Sequence, residues 1–240
     1  MRIAGLSDVG RVRARNEDAI GWDEPAAVAV LSDGMGGHPA GDVASRLAVD
    51  KVLESVGARA ASRPWLSNEA DMEGLLQEAN GAVIDHAARH PECRGMGCTL
   101  VVAAFDGRHA VIGHVGDSRA YAFRDGGLEQ LTVDHTAAQL AVEQELLSPE
   151  QARHSPERHQ LTRAIGLEND VKVDVSRCRT GRGDLFLLCS DGLTDMVDDV
   201  DIADVLNDNG HDIDRSARVL LWLAMDRGGA DNVSVVIVHV

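Results

Sequence analysis

Five acidic positions stand out by their spacing: Glu17-Asp18, Asp33-Gly34, Asp117-Ser118, Asp191-Gly192 and Asp231-Asn232. Glu17-Asp18 aside, each directly follows or precedes an apolar run, and none has a Lys or Arg beside it. An isolated Asp-Gly is most simply a turn. A carboxylate at the end of a buried strand is costly, however, unless it is paired or bound to a cation. Acidic groups gathered from several strand ends, with no cysteine and little histidine, describe a site for a hard cation, Mg²⁺ or Mn²⁺ rather than Zn²⁺. A glycine after the aspartate lets the backbone come close to such an ion, with its carbonyl as a further ligand.

The sharpest instance is SDGMGGH (32–38), which ends the apolar run AAVAVL. A glycine-rich loop before a helix could instead cradle a nucleotide phosphate, but neither GxxxxGK[ST] nor GxGxxG occurs. Other phosphate chemistries lack their residues as well. A cysteine nucleophile needs Cys-x5-Arg, whereas the residues six beyond the four cysteines are Thr99, Ala104, Asp184 and Asp195. An aspartyl nucleophile needs DxDxT, and Asp199-Val200-Asp201-Ile202-Ala203 lacks the threonine. The spacing of a calcium-binding loop is absent too. Asp8, Asp23, Asp134 and Asp184 have turn-like surroundings.

The elements that must carry these residues are mostly short strands. Runs at 2–6, 26–31, 99–105, 109–115, 118–123, 171–176, 185–189 and 233–240 are β-like. Asp106-Gly107 and Asp125-Gly126 mark antiparallel hairpins. Helical periodicity runs through 43–56 (Val43, Leu47, Val56) and 72–87 (Met72, Leu75, Leu76, Ala79, Val83), and two more helices are expected near 202–207 and 216–227. Hairpins with helices in consecutive pairs form an α+β pattern on antiparallel sheet. Residues 134–163 read differently, polar and helical with Ser-Pro breaks at 148–149 and 155–156, and are expected to form an inserted flap on a single domain spanning 1–240.

Bulk properties agree with a globular chain of 240 residues, 44% hydrophobic and 26% charged. Acidic residues outnumber basic ones 39 to 23, a formal charge of -16, which argues against nucleic acid and anionic membrane surfaces as partners. There is no membrane-length apolar run and no signal-like h-region, and the cysteines form no CxxC; the expectation is a cytoplasmic protein with reduced thiols.

The ordered set GRVRARNEDA (10–19), SDGMGGH (32–38), GMGCT (95–99), HVGDSRAY (114–121), LTRAIG (161–166), CSDGL (189–193) and DNVSVV (231–236) resembles the metal-dependent type 2C serine/threonine protein phosphatases. It is most similar to the small bacterial stand-alone members. The resemblance implies a four-layer α-β-β-α sandwich, two antiparallel sheets flanked by helix pairs. It implies two Mn²⁺ or Mg²⁺ ions, with Asp33 bridging them, the Gly34 carbonyl on one, and Asp191 and Asp231 completing the first metal's set. Asp18 would stand by the second ion largely through water, with Glu17 behind it, and Asp117 with Asp191 would hold a third, weaker ion. Arg13 matches the arginine that grips the substrate phosphate, and His38 the histidine proposed to protonate the leaving alkoxide.

The implied reaction is hydrolysis of phosphoserine and phosphothreonine in proteins by direct attack of a water shared between the metals, reversing a bacterial Ser/Thr kinase. A link to type VI secretion and a monomeric state are further expectations of the resemblance. The competing reading is a catalytically silent phosphoprotein-binding module, which a missing metal aspartate would favour; all of them are present. Read alone, Arg13 could equally be one of three solvated arginines with Arg11 and Arg15, and His38 a helix cap. Thr99, Asn232 and His135 read as supporting residues. Cys98 stands where many relatives have threonine, which raises redox sensitivity as a question.

Overall fold

Runs that are apolar at every position, such as VAVL (28–31) and LVVAA (100–104), demand cover on both faces. A computed structural model, which describes residues 1–35, 40–59 and 68–240, supplies it. The strands are β1 (Arg2–Asp8), β2 (Asp18–Asp23), β3 (Val28–Asp33), β4 (Leu100–Phe105), β5 (His109–Val115), β6 (Arg119–Arg124), β7 (Gly127–Gln130), β8 (Asp174–Arg179), β9 (Leu185–Cys189) and β10 (Val233–His239). They form two sheets, β1-β10-β9-β6-β7 and β2-β3-β4-β5-β8, antiparallel throughout. The helices are α1 (Gly41–Arg59), α2 (Glu69–Arg89), α3 (Ala137–Glu143), α4 (Pro149–Arg153), α5 (Asp191–Thr194), α6 (Asp199–Asn209) and α7 (Ile213–Asp226).

Strand alternation divides the core into three layers. Ala29, Leu31, Val101, Ile112, Leu188 and Val236 point between the sheets. Val28, Val30 and Val102 face α1 and α2 through Ala48, Val52, Leu75 and Leu76. Leu187, Val235 and Ile237 face α6 and α7 through Ile202, Leu206 and Leu220. The chain is thus an α-β-β-α sandwich. Alanines at 29, 103, 110, 120 and 122 help to fill the middle layer, whose aromatic content is the edge-on pair Phe105–Phe186 at 5.0 Å.

Departures from the sequence expectation fall at sheet edges. β2 and β7 carry polar residues and lie at or next to an edge, so neither shows a sustained apolar run. β8 starts three residues later than expected, because Val171 and Val173 pack into the helix-facing core ahead of the strand. The buried stripe of α1 is Ala44, Ala48, Val49, Val52 and Val56, with Val43 and Leu47 at its margin. Ser148-Pro149 starts a helix instead of breaking one. Ser148 and Gln151 form a reciprocal capping box with Pro149 at the first turn of α4.

One end of the sandwich collects the ends of β1, β3, β5 and β9 and the starts of β2, β4, β6 and β10. The junction is tight: a Cβ at Gly192, at the start of α5, would collide with the Asn232 carbonyl ahead of β10. Gly192→Ala is therefore expected to lower unfolding stability by about 1–3 kcal/mol through overpacking. Gly81→Ala, in mid-α2 with open space around it, should raise it by about 0.5–1 kcal/mol. Urea unfolding of the two variants checks the pair of opposite signs.

Candidate active site

The β2–β3 register sets Asp18 directly opposite Asp33. Like charges facing each other across a rung destabilise a sheet, and here Asp18 is buried and Asp33 half-buried. Asp33 lies within hydrogen-bonding reach of Asp18 and of Asp191. Ser190 Oγ donates to Asp18 Oδ2 at 2.8 Å and accepts the Ser234 N–H at 3.0 Å. Asp18 Oδ1 is buried without a partner among the described residues. Burial first, then the negative charge of Asp191, pushes the Asp18 carboxyl up to about 7. The same two kinds of cause, burial and then Asp18 with Asp191, hold Asp33 well above the usual carboxylate range.

Asp191 opens α5 where β9 ends, and its Oδ1 is a second buried oxygen without a partner among the described residues. His159 straddles this short helix, its Nδ1 3.4 Å from Asp191 Oδ2 and its Nε2 3.4 Å from Asp195 Oδ2. Burial alone would raise the Asp191 carboxyl, but His159, by hydrogen bond and charge, together with Asp33 and Arg13, outweighs it and holds the group low. Asp117 sits in the β5–β6 turn and is pushed well up by burial and then by Asp191. Ligand atoms of Asp117, His159 and Asp191 all lie within 4.8 Å of one another.

Asp231 lies two residues before the start of β10 and is met from the 9–17 loop: Arg13 Nη2 donates to Asp231 Oδ2 at 2.6 Å. Asn232 ties that loop down, accepting the Glu17 N–H at 2.8 Å and donating to the Val9 and Arg15 carbonyls at 2.9 Å each. The Glu17 carboxyl is raised by burial and by Asp42. Gly34 donates its N–H to the Glu17 carbonyl at 3.1 Å, and a Cβ there would press on the Gly41 and Glu17 carbonyls, so only glycine fits. His38 lies outside the described residues.

Thr99 links the two sides of the cluster: its Oγ1 accepts the Asp33 N–H at 2.9 Å and meets Ser118 Oγ at 2.6 Å. The supporting parts expected of Thr99 and Asn232 are therefore seen as hydrogen bonds. Asp8, Asp23 and Asp184 are turn acceptors as read from the sequence. Asp134 differs, forming a forked ion pair with Arg119 at 2.7–3.1 Å. Cys98 is fully buried and its thiol is pushed up to about 12 by burial, which leaves no thiolate for ready oxidation. His159 and Asp195 were missed. Asp195 could have been found, being one helical turn after Asp191; nothing in the spacing of the polar 134–163 segment singles out His159.

A cleft of about 640 Å³ opens over Asp33, Gly34, Asp117, Asp191 and Asp231, with Arg13 on its wall. Buried oxygens without partners among the described residues, carboxyls raised by burial and then by mutual repulsion, and a glycine-tight backbone fit divalent cations bound by oxygen.

Comparisons agree with this geometry. The protein phosphatase 2C family matches residues 10–219. The Listeria welshimeri serine/threonine phosphatase stp is 36% identical over 242 residues, spanning 97% of this chain and 93% of its own length. The Mycobacterium tuberculosis serine/threonine protein phosphatase PstP is 37% identical over 240 residues; the match takes in all of this chain but 45% of that protein. The PstP catalytic domain crystallised with two manganese ions gives a TM-score of 0.84 at 37% identity, covering 98% of this chain and 96% of that one. PppA, a key regulatory component of the T6SS in Pseudomonas aeruginosa, gives 0.83 at 35% identity, covering 98% and 96%.

The raised Asp18 carboxyl has a thermodynamic signature. The folded chain keeps this proton to about pH 7, whereas the carboxyl's ordinary value is 3.8. Its contribution to metal-free stability is thus fully present below pH 3.8 and is lost as pH rises to about 7. Asp18→Asn, which never ionises, should remove that slope and stabilise the metal-free protein at pH 7.5 by on the order of 3 kcal/mol relative to wild type. Urea unfolding in chelator at pH 5 and pH 7.5 measures it.

Proposed function

The chain belongs to the protein phosphatase 2C family, and we propose accordingly that it is a metal-dependent hydrolase of phosphoserine and phosphothreonine in proteins, opposing a Ser/Thr kinase. The observation that carries this reading is the convergence of Asp18, Asp33, Asp117 and Asp191 in one cluster whose members Asp33, Asp117 and Asp191 line an open cleft. The named activity of the Listeria relative, matched over 93% of its length, supports it. The two manganese ions of the PstP domain support Mn²⁺ or Mg²⁺ as the cofactor, two ions per site; a third, weaker ion is part of the same proposal.

In this reading Asp33, the Gly34 carbonyl, Asp191 and Asp231 would hold the first ion. Asp33 would also serve a second, with Asp18 and, behind it, Glu17. Asp117 and Asp191 would serve the third. When bound, the ions lower the pKa of water near neutrality and neutralise phosphoryl charge. They also let a protein of charge -16 accept a dianion, because local positive charge overrides the global field.

Arg13 is aimed by its contact with Asp231 and offers its remaining N–H groups to phosphoryl oxygens in a planar fork. Ser190 and Asn232 hold Asp18 and Glu17 in place by hydrogen bonds to one carboxyl and one backbone N–H. His38 is assigned as the acid that protonates the serine or threonine alkoxide.

The four free cysteines support a reducing, cytoplasmic setting, and no helix among the described residues is long and apolar enough to cross a membrane. A monomeric state and a single catalytic domain with residues 134–163 as its flap belong to the same proposal. The likeness to PppA supports extending it to regulation of type VI secretion.

The test is turnover of phosphoserine and phosphothreonine peptides with Mn²⁺. The expected result is activity abolished by chelator and lowered at least about a hundredfold in kcat/KM by Asp191→Ala. Arg13→Ala should cost about 10–100-fold in kcat/KM, as a lost charge-assisted hydrogen bond does. Activity that survives chelation would contradict the mechanism, and phosphopeptide binding without turnover would favour the silent binding module.

A further inference from the structure

One side chain beside the cluster touches none of the reacting groups. His135 lies at the neck of the 134–163 segment and is 5% exposed. It meets Gly116 twice: its backbone N–H donates to the Gly116 carbonyl at 3.0 Å, and the Gly116 N–H donates to its ring Nδ1 at 3.1 Å. Ring Nε2 lies 3.1 Å from Asp174 Oδ2. Arg163 Nη1 donates to the other oxygen of Asp174 at 2.8 Å and lies 3.0 Å from the same Nε2. The His135 carbonyl accepts the Thr162 N–H at 2.8 Å, closing the far side of the neck. His114 stacks on the ring at 4.6 Å, its own Nε2 on the Val133 carbonyl at 2.8 Å.

These contacts fix the tautomer. A backbone N–H can only donate, so Nδ1 is unprotonated and the ring proton is on Nε2, directed at Asp174. Arg163 then has no acceptor in the ring and directs its N–H to the carboxylate. Burial, then His114, pushes the imidazole down to about 4, so the neutral form persists at working pH.

What His135 grips is the residue before Asp117. Gly116 has φ +106°, and a Cβ on it would meet Thr99 Cγ2 at 2.6 Å. The turn is thus wedged between Thr99, which also holds Asp33 and Ser118, and the ring of His135.

We propose that His135 is a positioning residue for Asp117: with Nδ1 on the Gly116 N–H and Nε2–H on Asp174, it sets the turn that aims the Asp117 carboxylate into the cluster and locks that turn to the neck of the 134–163 segment. The proposal rests on the phosphatase reading for its kinetic consequence and on the cluster alone for its metal consequence.

A double-mutant cycle with Asp117→Asn tests it. On a small aryl phosphate with Mn²⁺, His135→Ala should lower kcat about tenfold with KM within about twofold, and should add less than about twofold in the Asp117→Asn background. Mn²⁺ titration calorimetry should show the weakest binding event loosened by His135→Ala in the wild-type background and unchanged by it in Asp117→Asn. Losses of equal size in both backgrounds, or an unaltered isotherm in His135→Ala, would overturn the proposal. Should His135→Ala not fold by circular dichroism, Asp174→Asn takes its place in the same cycle. In the wild-type protein, histidine ¹⁵N spectra should show Nε2 protonated and Nδ1 bare at pH 7, and the opposite tautomer overturns the proposal as well. Coupled Mn²⁺ binding in a protein that hydrolyses no phosphopeptide would contradict the functional reading and leave the positioning role standing.

Discussion

Mutual repulsion among buried carboxylates is the interaction on which this structure turns. Asp18 and Asp33 face each other across a rung, Asp191 is within hydrogen-bonding reach of Asp33, and Asp117 crowds Asp191. Four negative charges cannot persist together in a poorly solvated space. Protons can relieve the conflict, as the raised Asp18, Asp33 and Asp117 show. Cations of higher charge can relieve it better, which is how an unstable arrangement of acids becomes a site.

The sandwich exists, in this light, to hold that arrangement against its own repulsion. Each acid is anchored by backbone that the core has already fixed: Asp33 at the end of β3, Asp18 opposite it, Asp191 just past β9, and Asp231 just ahead of β10. The links between these anchors are short neutral hydrogen bonds from Ser190, Thr99 and Asn232, which orient without adding charge. Glycines take the tightest approaches at the cluster, where the contact of Gly34 with Gly41, of Gly192 with Asn232 and of Gly116 with Thr99 leaves no room for a side chain. Arg13 and His159, which meet Asp231 and Asp191, both come from loops.

Much of this was legible in the amino-acid order because strand-end aspartates flanked by glycine are a local signal, and because β3, β4, β9 and β10 are apolar on both faces. The residues that escaped notice act at a distance. β2 carries its message only in register with β3, so the Asp18–Asp33 rung could not be read from DAIGWD by itself. His159 lies thirty-two residues before Asp191 in a polar stretch with no periodicity that points inward. Asp134 looked like a turn residue because its partner Arg119 is across a hairpin. Edge strands and long-range charge pairs are set by tertiary packing, and local pattern is silent about them.

The most direct measurement of the central claim is the number of protons released when Mn²⁺ binds. Calorimetric titration between about pH 6 and 7, in buffers of different ionisation enthalpy, reads that number. If repulsion among Asp18, Asp33 and Asp117 keeps protons on the cluster, at least one proton should leave as the metal enters, and fewer should leave from Asp18→Asn. Tight Mn²⁺ binding with no proton release would mean that the acids were already ionised together, and the account would be wrong.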